Sequence, residues 1–195
     1  MIIGLLILLA VAALVFAGCQ ATRAGYESAP CRVVRTDGDF ELRTYPALTV
    51  VETTMTSNGN GDDGSFMRLF RYIGGSNDAK EKIAMTTPVF MSDSASNRMM
   101  AFVLPAKFKP GAVPQPADPA VKVRDLAGGE FAVLRFSGGR SEKNEAKALE
   151  RLKTWMAAQG LKVLSPPVYG YFDPPWTPTF FRRNEVMLQT EAGAE

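Results

Sequence analysis

The residues best suited to hold a ligand lie near the end of the chain, where Tyr171-Phe172-Asp173-Pro174-Pro175-Trp176 runs through Thr177-Pro178-Thr179-Phe180-Phe181 into Arg182-Arg183. Three prolines remove backbone donors and fix their own φ angles, so the stretch is a stiff aromatic corner followed by two adjacent cations. Such a corner can wall a flat apolar ligand, with Trp176 at its rim, while Arg182 or Arg183 meets an anionic group. The plainer alternative is a loop packed on the core with its arginines in water.

Other chemistries are excluded by composition. The chain has no histidine, which removes imidazole acid/base catalysis, a Ser/His/Asp triad and histidine ligation of zinc or iron. Its only thiols are Cys19 and Cys31, too few for a four-cysteine zinc site or iron-sulfur cluster. Glu41, Glu52, Asp173, Glu185 and Tyr45 are acid/base candidates, but none stands beside a recognisable nucleophile, so no catalytic role is assigned. They read instead as solvated strand faces or, for Asp173 and Glu185, as braces of the corner. The segment Ser57–Gly64 resembles a calcium loop only in its Asn and Asp content. Counting from Asn58, Asp63 stands where glycine is needed and Leu69 where a bidentate Glu is needed.

The elements that must position these residues belong to an ordinary globular chain of 195 residues, 46% hydrophobic and 22% charged, best read as one domain. A net charge of +2 and the absence of a basic cluster interleaved with aromatics argue against a nucleic-acid surface. Residues 1–18 carry no charged side chain and read as a signal peptide or membrane anchor. They end in Phe16-Ala17-Gly18-Cys19, which resembles the lipobox of bacterial lipoproteins and implies lipidation at Cys19. An uncleaved anchor and a cleaved soluble form are the alternatives, since Phe16 replaces the usual Leu and no Lys or Arg precedes the apolar run. The lipoprotein reading implies a membrane-anchored protein of the bacterial envelope, facing the periplasm. Residues 19–30 then form a tether, 31–190 the folded domain and 191–195 a tail. Cys31 reads as a small packed residue at the domain entrance, or as a thiol for intermolecular pairing.

Within the domain, strand patterning begins at Cys31–Val34. Phe40–Tyr45 alternates at period two and Leu48–Met55 is rich in β-branched residues, suggesting antiparallel strands turning at Pro46. Phe66, Leu69, Phe70 and Ile73 recur at helical spacing over Ser65–Ile73, ending at Gly74-Gly75. Strands are expected at Ile83–Met91 and Met99–Leu104, then a proline-rich link over 105–120. Val121–Leu126 and Glu130–Phe136 read as a hairpin. Ser141 caps a longer helix striped by Leu149, Leu152, Trp155 and Met156 and ended by Gly160. Strands near Val168–Phe172 and Glu185–Gln189 close the set. Two strands, a helix and two strands thus occur twice, so the fold class is α+β, a pseudo-twofold repeat joined across a shared sheet or barrel.

Four ordered blocks resemble the SOUL heme-binding protein family: Phe40-Glu41-Leu42-Arg43-Thr44-Tyr45; Phe70–Asn77 with Lys82–Val89; Phe102-Val103-Leu104-Pro105; and the aromatic corner with Arg182-Arg183-Asn184-Glu185-Val186. The resemblance implies a distorted antiparallel β-barrel flanked by two helices, related in fold to gyrase-inhibitor-like effector-binding domains. It also implies heme or another tetrapyrrole bound on an apolar surface beside the first helix. Carried onto this chain, the contacts are Phe66, Met67 and Phe70, with Arg71 as propionate partner. Thr177 stands where a family member offers Lys, leaving Arg182 or Arg183 to substitute. Some members are assigned an axial histidine, which this chain lacks; binding by burial and carboxylate pairing is then expected. An effector-binding or protein-interaction domain for another amphipathic ligand is the alternative.

Overall fold

The computed structural model describes residues 25–56, 63–94, 97–108 and 111–191. Residues 1–18, Cys19 and most of the Asn/Asp-rich loop lie outside them. Among the described residues, eleven strands and two α-helices follow in chain order: β1 (Glu27–Ser28), β2 (Arg32–Asp37), β3 (Phe40–Tyr45), β4 (Leu48–Met55), α1 (Ser65–Ile73), β5 (Thr86–Thr87), β6 (Val89–Ser94), β7 (Asn97–Val103), β8 (Val121–Leu126), β9 (Gly129–Phe136), α2 (Glu142–Ala158), β10 (Val168–Tyr171) and β11 (Asn184–Thr190). A 3-10 turn, Thr179–Phe181, lies within the proline corner.

The expected α+β class holds, with a correction to its closure. Nine strands form one antiparallel sheet in the order β2-β3-β9-β11-β10-β6-β7-β4-β8, open at β2 and β8, where a barrel was expected. Exchanging β3-β4-α1-β6-β7 with β8-β9-α2-β10-β11 turns the order β3 to β8 into itself read backwards.

Both expected hairpins are absent. β3 pairs with β2 and β9, not with β4, and β8 pairs with β4, not with β9. Each half therefore donates its first strand to the edge of the other half, and the connections at Pro46 and at Ala127-Gly128 pass each other. A Cβ on Gly128 would stand 2.6 Å from the Tyr45 carbonyl oxygen and 2.8 Å from the Pro46 carbonyl carbon, so only glycine fits that crossing. The run expected as one strand over Ile83–Met91 divides, because Pro88 has no N–H to donate to the ladder. Within the expected tether, Glu27–Ser28 pairs in parallel with Thr86–Thr87.

Alternation along the strands sorts the core into layers. Val51, Met100 and Phe102 meet Leu69, Tyr72 and Ile73 of α1, while Ala132, Leu134, Val186 and Leu188 meet Leu152, Trp155 and Met156 of α2. The intervening residues Val50, Ala101, Val103, Val133 and Met187 point to the opposite face. There Tyr45 and Leu48, from opposite ends of the strand order, share one cluster, so the sheet curls over its helix-free face. The second helix is capped as expected: the Ser141 hydroxyl accepts from the Asn144 N–H at 3.3 Å.

Candidate functional site

The first helix is short, and its apolar residues exceed what one inward stripe can bury. Leu69, Tyr72 and Ile73 are buried with Ser65, whereas Phe66, Met67 and Phe70 remain exposed, Met67 and Phe70 at 47% each. The stripe read as Phe66, Leu69, Phe70 and Ile73 is thus rotated: tertiary packing selects the face headed by Ser65, Leu69 and Tyr72. Phe66 sits on the shoulder, stacked with Phe70 at 5.9 Å between ring centroids and edge-on to Phe102 at 5.2 Å. Three large apolar side chains exposed on nine residues make a contiguous patch of the kind that marks a binding surface.

Charge around the patch is arranged unequally. Arg68 is committed to structure, donating to the Thr53 hydroxyl and to the carbonyls of Asp63 and Thr54. Arg71, exposed beside Phe70, has no side-chain partner among the described residues. The lead-in is held by Asp63, whose carboxylate accepts from Ser65 N–H at 3.0 Å and Thr56 N–H at 2.7 Å. Partial burial pushes its pKa up, but the bonds from Ser65 and Thr56 outweigh this and bring it down to about 2.

The proline corner occupies a different place. Trp176 and Phe180 project outward, Trp176 at 79% exposure. Arg182 folds back on the corner, donating from Nε to the Thr177 carbonyl at 2.8 Å and from Nη2 to the Pro175 carbonyl. Arg183 lies over the Phe172 ring at 4.2 Å and its N–H donates to Asp173 at 2.6 Å. Both arginines line a cleft with residues of α2, none of which belongs to α1. The structure therefore brings Phe66, Met67, Phe70 and Arg71 together, and Arg182 with Arg183 elsewhere.

A buried ionic network lies where the sequence offered only scattered carboxylates. Arg43 donates to Glu185 through both Nη atoms, at 2.8 and 3.0 Å, to Glu41 at 2.6 Å and to the Tyr45 hydroxyl at 3.0 Å. Arg183 and Arg135 add further bonds to Glu185 and Glu41. Burial favours the neutral form of Glu185, yet Arg43 and Arg183 hold its pKa below the usual carboxylate range. Burial drives the Tyr45 hydroxyl up to about 12, against the pull of Arg43. The alternation Glu41-Arg43-Tyr45 places all three on one strand face, a signal present in the sequence; the partners in β9 and β11 were not legible there.

These carboxylates are braces. Glu185 and Glu41 meet arginines, Glu52 pairs with Arg124 at 3.5 Å, and Asp173 accepts from the Arg183 backbone. Among the described residues no three of Cys, Asp and Glu gather as a metal site. Cys31, expected as a packed residue, is an exposed free thiol, because β2 is an edge strand exposed on both faces. A recess of about 130 Å³ opens on the helix-free face between Tyr45, Leu48, Phe90, Phe131 and Met187, with Glu52 and Arg124 in its wall. No helix of the described residues is long and apolar enough to cross a membrane.

Comparison with known proteins adds sequence likeness to this geometry. The family model described as SOUL heme-binding protein matches residues 26–189. Heme-binding protein 1 of Sus scrofa is 33% identical over 131 residues, covering 62% of this chain and 67% of that protein. Heme-binding protein 1 of Xenopus tropicalis is 24% identical over 156 residues, covering 75% and 81%. Among solved structures, the EcmrR C-terminal domain superposes with a TM-score of 0.58 at 11% identity, over 78% of this chain and 96% of that one. A hydrolase from Listeria innocua gives 0.59 at 11% identity, over 81% and 94%. At such identity these two report the fold alone.

Proposed function

The chain belongs to the SOUL heme-binding protein family, and on that premise we propose that it is a binding module for heme or another tetrapyrrole, held on the outer face of α1. The observation that carries this reading is the exposed Phe66-Met67-Phe70 patch with Arg71, which has no side-chain partner among the described residues, at its border. A porphyrin presents two broad apolar faces and two carboxylates; the patch answers the first and Arg71 the second. The recess on the helix-free face, about 130 Å³, is too small for such a ligand, since pockets for drug-sized molecules begin at about 300 Å³.

The chain has no histidine, so a bound heme would meet none as an axial ligand. Met67 is the sulfur nearest in sequence to the aromatic pair, and its role here is apolar contact. Tetrapyrrole binding then rests on ring burial and carboxylate pairing. Tethering to the bacterial envelope, through a lipid at Cys19 or an uncleaved apolar segment, forms part of the same proposal and rests on the pattern of residues 1–19.

Titration of the chain beginning at Ala21 with hemin and with iron-free protoporphyrin tests the reading. Dissociation constants should agree within about threefold, because the iron adds no strong bond. Binding of hemin alone, with the spectrum of a strong-field axial ligand, would overturn it. Mass analysis of the membrane fraction for a diacylglyceryl modification on Cys19 tests the tether; an unmodified Cys19 behind an intact leader supports the anchor instead.

A further inference from the structure

The cations of the proline corner border a cleft that the α1 face does not share, and we propose that this cleft is a second binding site, for a planar aromatic molecule carrying two or more phosphate or carboxylate groups. The cleft, of about 510 Å³, lies between α2, the β2–β3 turn and the 3-10 turn of the corner. That volume falls in the range of small-molecule sites.

Its charge is unbalanced. Arg135, Lys147, Arg151, Arg182 and Arg183 line it, against Asp39 as the only lining carboxylate. Arg135 and Arg183 are compensated by Glu41 and Glu185 beneath. Lys147 and Arg182 meet no carboxylate among the described residues. Lys147 is exposed and unpaired among the described residues, and Arg151 reaches Asp39 only at 3.7 Å. These two stand at i and i+4 on α2, an arrangement that weakens a helix unless an anion lies between the charges. Arg182 is held in place by two backbone carbonyls and meets no carboxylate among the described residues, so its remaining N–H groups are oriented before any ligand arrives. Lys147 has no partner among the described residues and Arg182 keeps further N–H groups at the cleft beside Arg151, and recognition of an anion accounts for this surplus of cations.

The wall supplies the other half of the ligand. Phe136, Phe180 and Phe181 line the same cleft; Phe180 is 69% exposed and leans on Phe181 at 4.4 Å between centroids. An exposed ring beside unpaired cations suits a flat π-system that carries negative charge. Phosphate and carboxylate oxygens accept from guanidinium groups alike, so the anion can come from either chemistry.

The full chain in detergent is titrated at low salt with adenosine triphosphate, with the aromatic polycarboxylate benzenehexacarboxylate, which is no tetrapyrrole, and with pyrophosphate. At least one aromatic probe should bind more tightly than pyrophosphate. Its affinity should fall by about tenfold in Lys147→Gln/Arg151→Gln and again in Phe180→Ser, and stay unchanged in Phe66→Ser/Phe70→Ser. Which aromatic probe binds identifies the anion. The proposal is overturned if neither aromatic probe binds, if the α2 double variant binds as before, or if pyrophosphate equals the aromatic probes. All substituted residues are solvent-facing or border the surface, and unchanged thermal melts separate lost binding from lost folding. Because the α1 variant is scored apart, failure of this site and failure of the α1 face are distinguishable.

Discussion

Arg43 reaches across strand β9 to make a two-pronged bond with Glu185, joining β3 of the first half to β11 of the second at 2.8 and 3.0 Å. Both side chains are almost wholly buried. The pair is the ionic counterpart of the strand exchange, since β3 reaches that position only by leaving its own half.

Removing one member strands a buried charge. Glu185→Leu leaves Arg43 and Arg183 short of an acceptor and should cost about 3–5 kcal/mol. The double variant Arg43→Met/Glu185→Leu should cost less than the two single changes added together, because the uncompensated charge goes with its partner. Urea unfolding of all three variants measures this. Simple additivity would show that the pair is not coupled.

The crossing at Gly128 makes a steric prediction. The added methyl of Gly128→Ala would meet backbone atoms of Tyr45, Pro46 and Ala47 within 3 Å, which no side-chain rotation relieves. A loss of about 1–3 kcal/mol is expected in the same unfolding assay. A neutral outcome would mean that the two connections do not pass so closely.

On α1, the proposed ligand face and the core-packing face separate by position. Phe70→Ala and Arg71→Ala should each weaken protoporphyrin binding, Phe70→Ala by about tenfold, and leave the melting temperature nearly unchanged. Leu69→Ala, one position away and fully buried, should instead cost about 2–5 kcal/mol of stability. Equal affinity in the Phe70 and Arg71 variants would reject the face.

Asp63 links the entry of α1 to pH. Its folded pKa, about 2, lies below its model-peptide value of 3.8, so its contribution to stability is present above that value and disappears as pH falls through about 2. The stability gap between the native chain and Asp63→Asn should therefore shrink between pH 6 and pH 2. Urea midpoints at several pH values give the gap directly, and one that stays constant would remove Asp63 from the helix entry.

Local patterns in the sequence carry through to the structure where the physics is local. Ser65–Ile73, Phe40–Tyr45, Leu48–Met55 and the Ser141 cap all stand where periodicity and capping chemistry put them. Pairing is another matter. Pro46 and Ala127-Gly128-Gly129 are short enough for hairpins, and adjacency in sequence is the default for strands, yet both connections cross to the other half. The choice is made by burial: Tyr45, Leu48, Phe131 and Leu126 close over the helix-free face only when the first strands are exchanged.

The candidate site divides along the same line. Residue type points to Trp176, Arg182 and Arg183 as able to meet a flat anionic ligand, the family resemblance adds Phe66, Met67, Phe70 and Arg71, and the complete lack of histidine excludes imidazole chemistry at any fold. Only the tertiary structure decides that these residues lie in two separate places. Helical rotation at α1 is fixed by which side chains the sheet can bury, so Leu69 and Tyr72 turn inward and Phe66 and Phe70 stay in water. The corner is anchored through Asn184 and Glu185 to partners far away in sequence, which sets Arg182 beside α2 rather than α1. Sequence determines which chemistry each element carries; contacts between elements distant along the chain determine which chemistries meet.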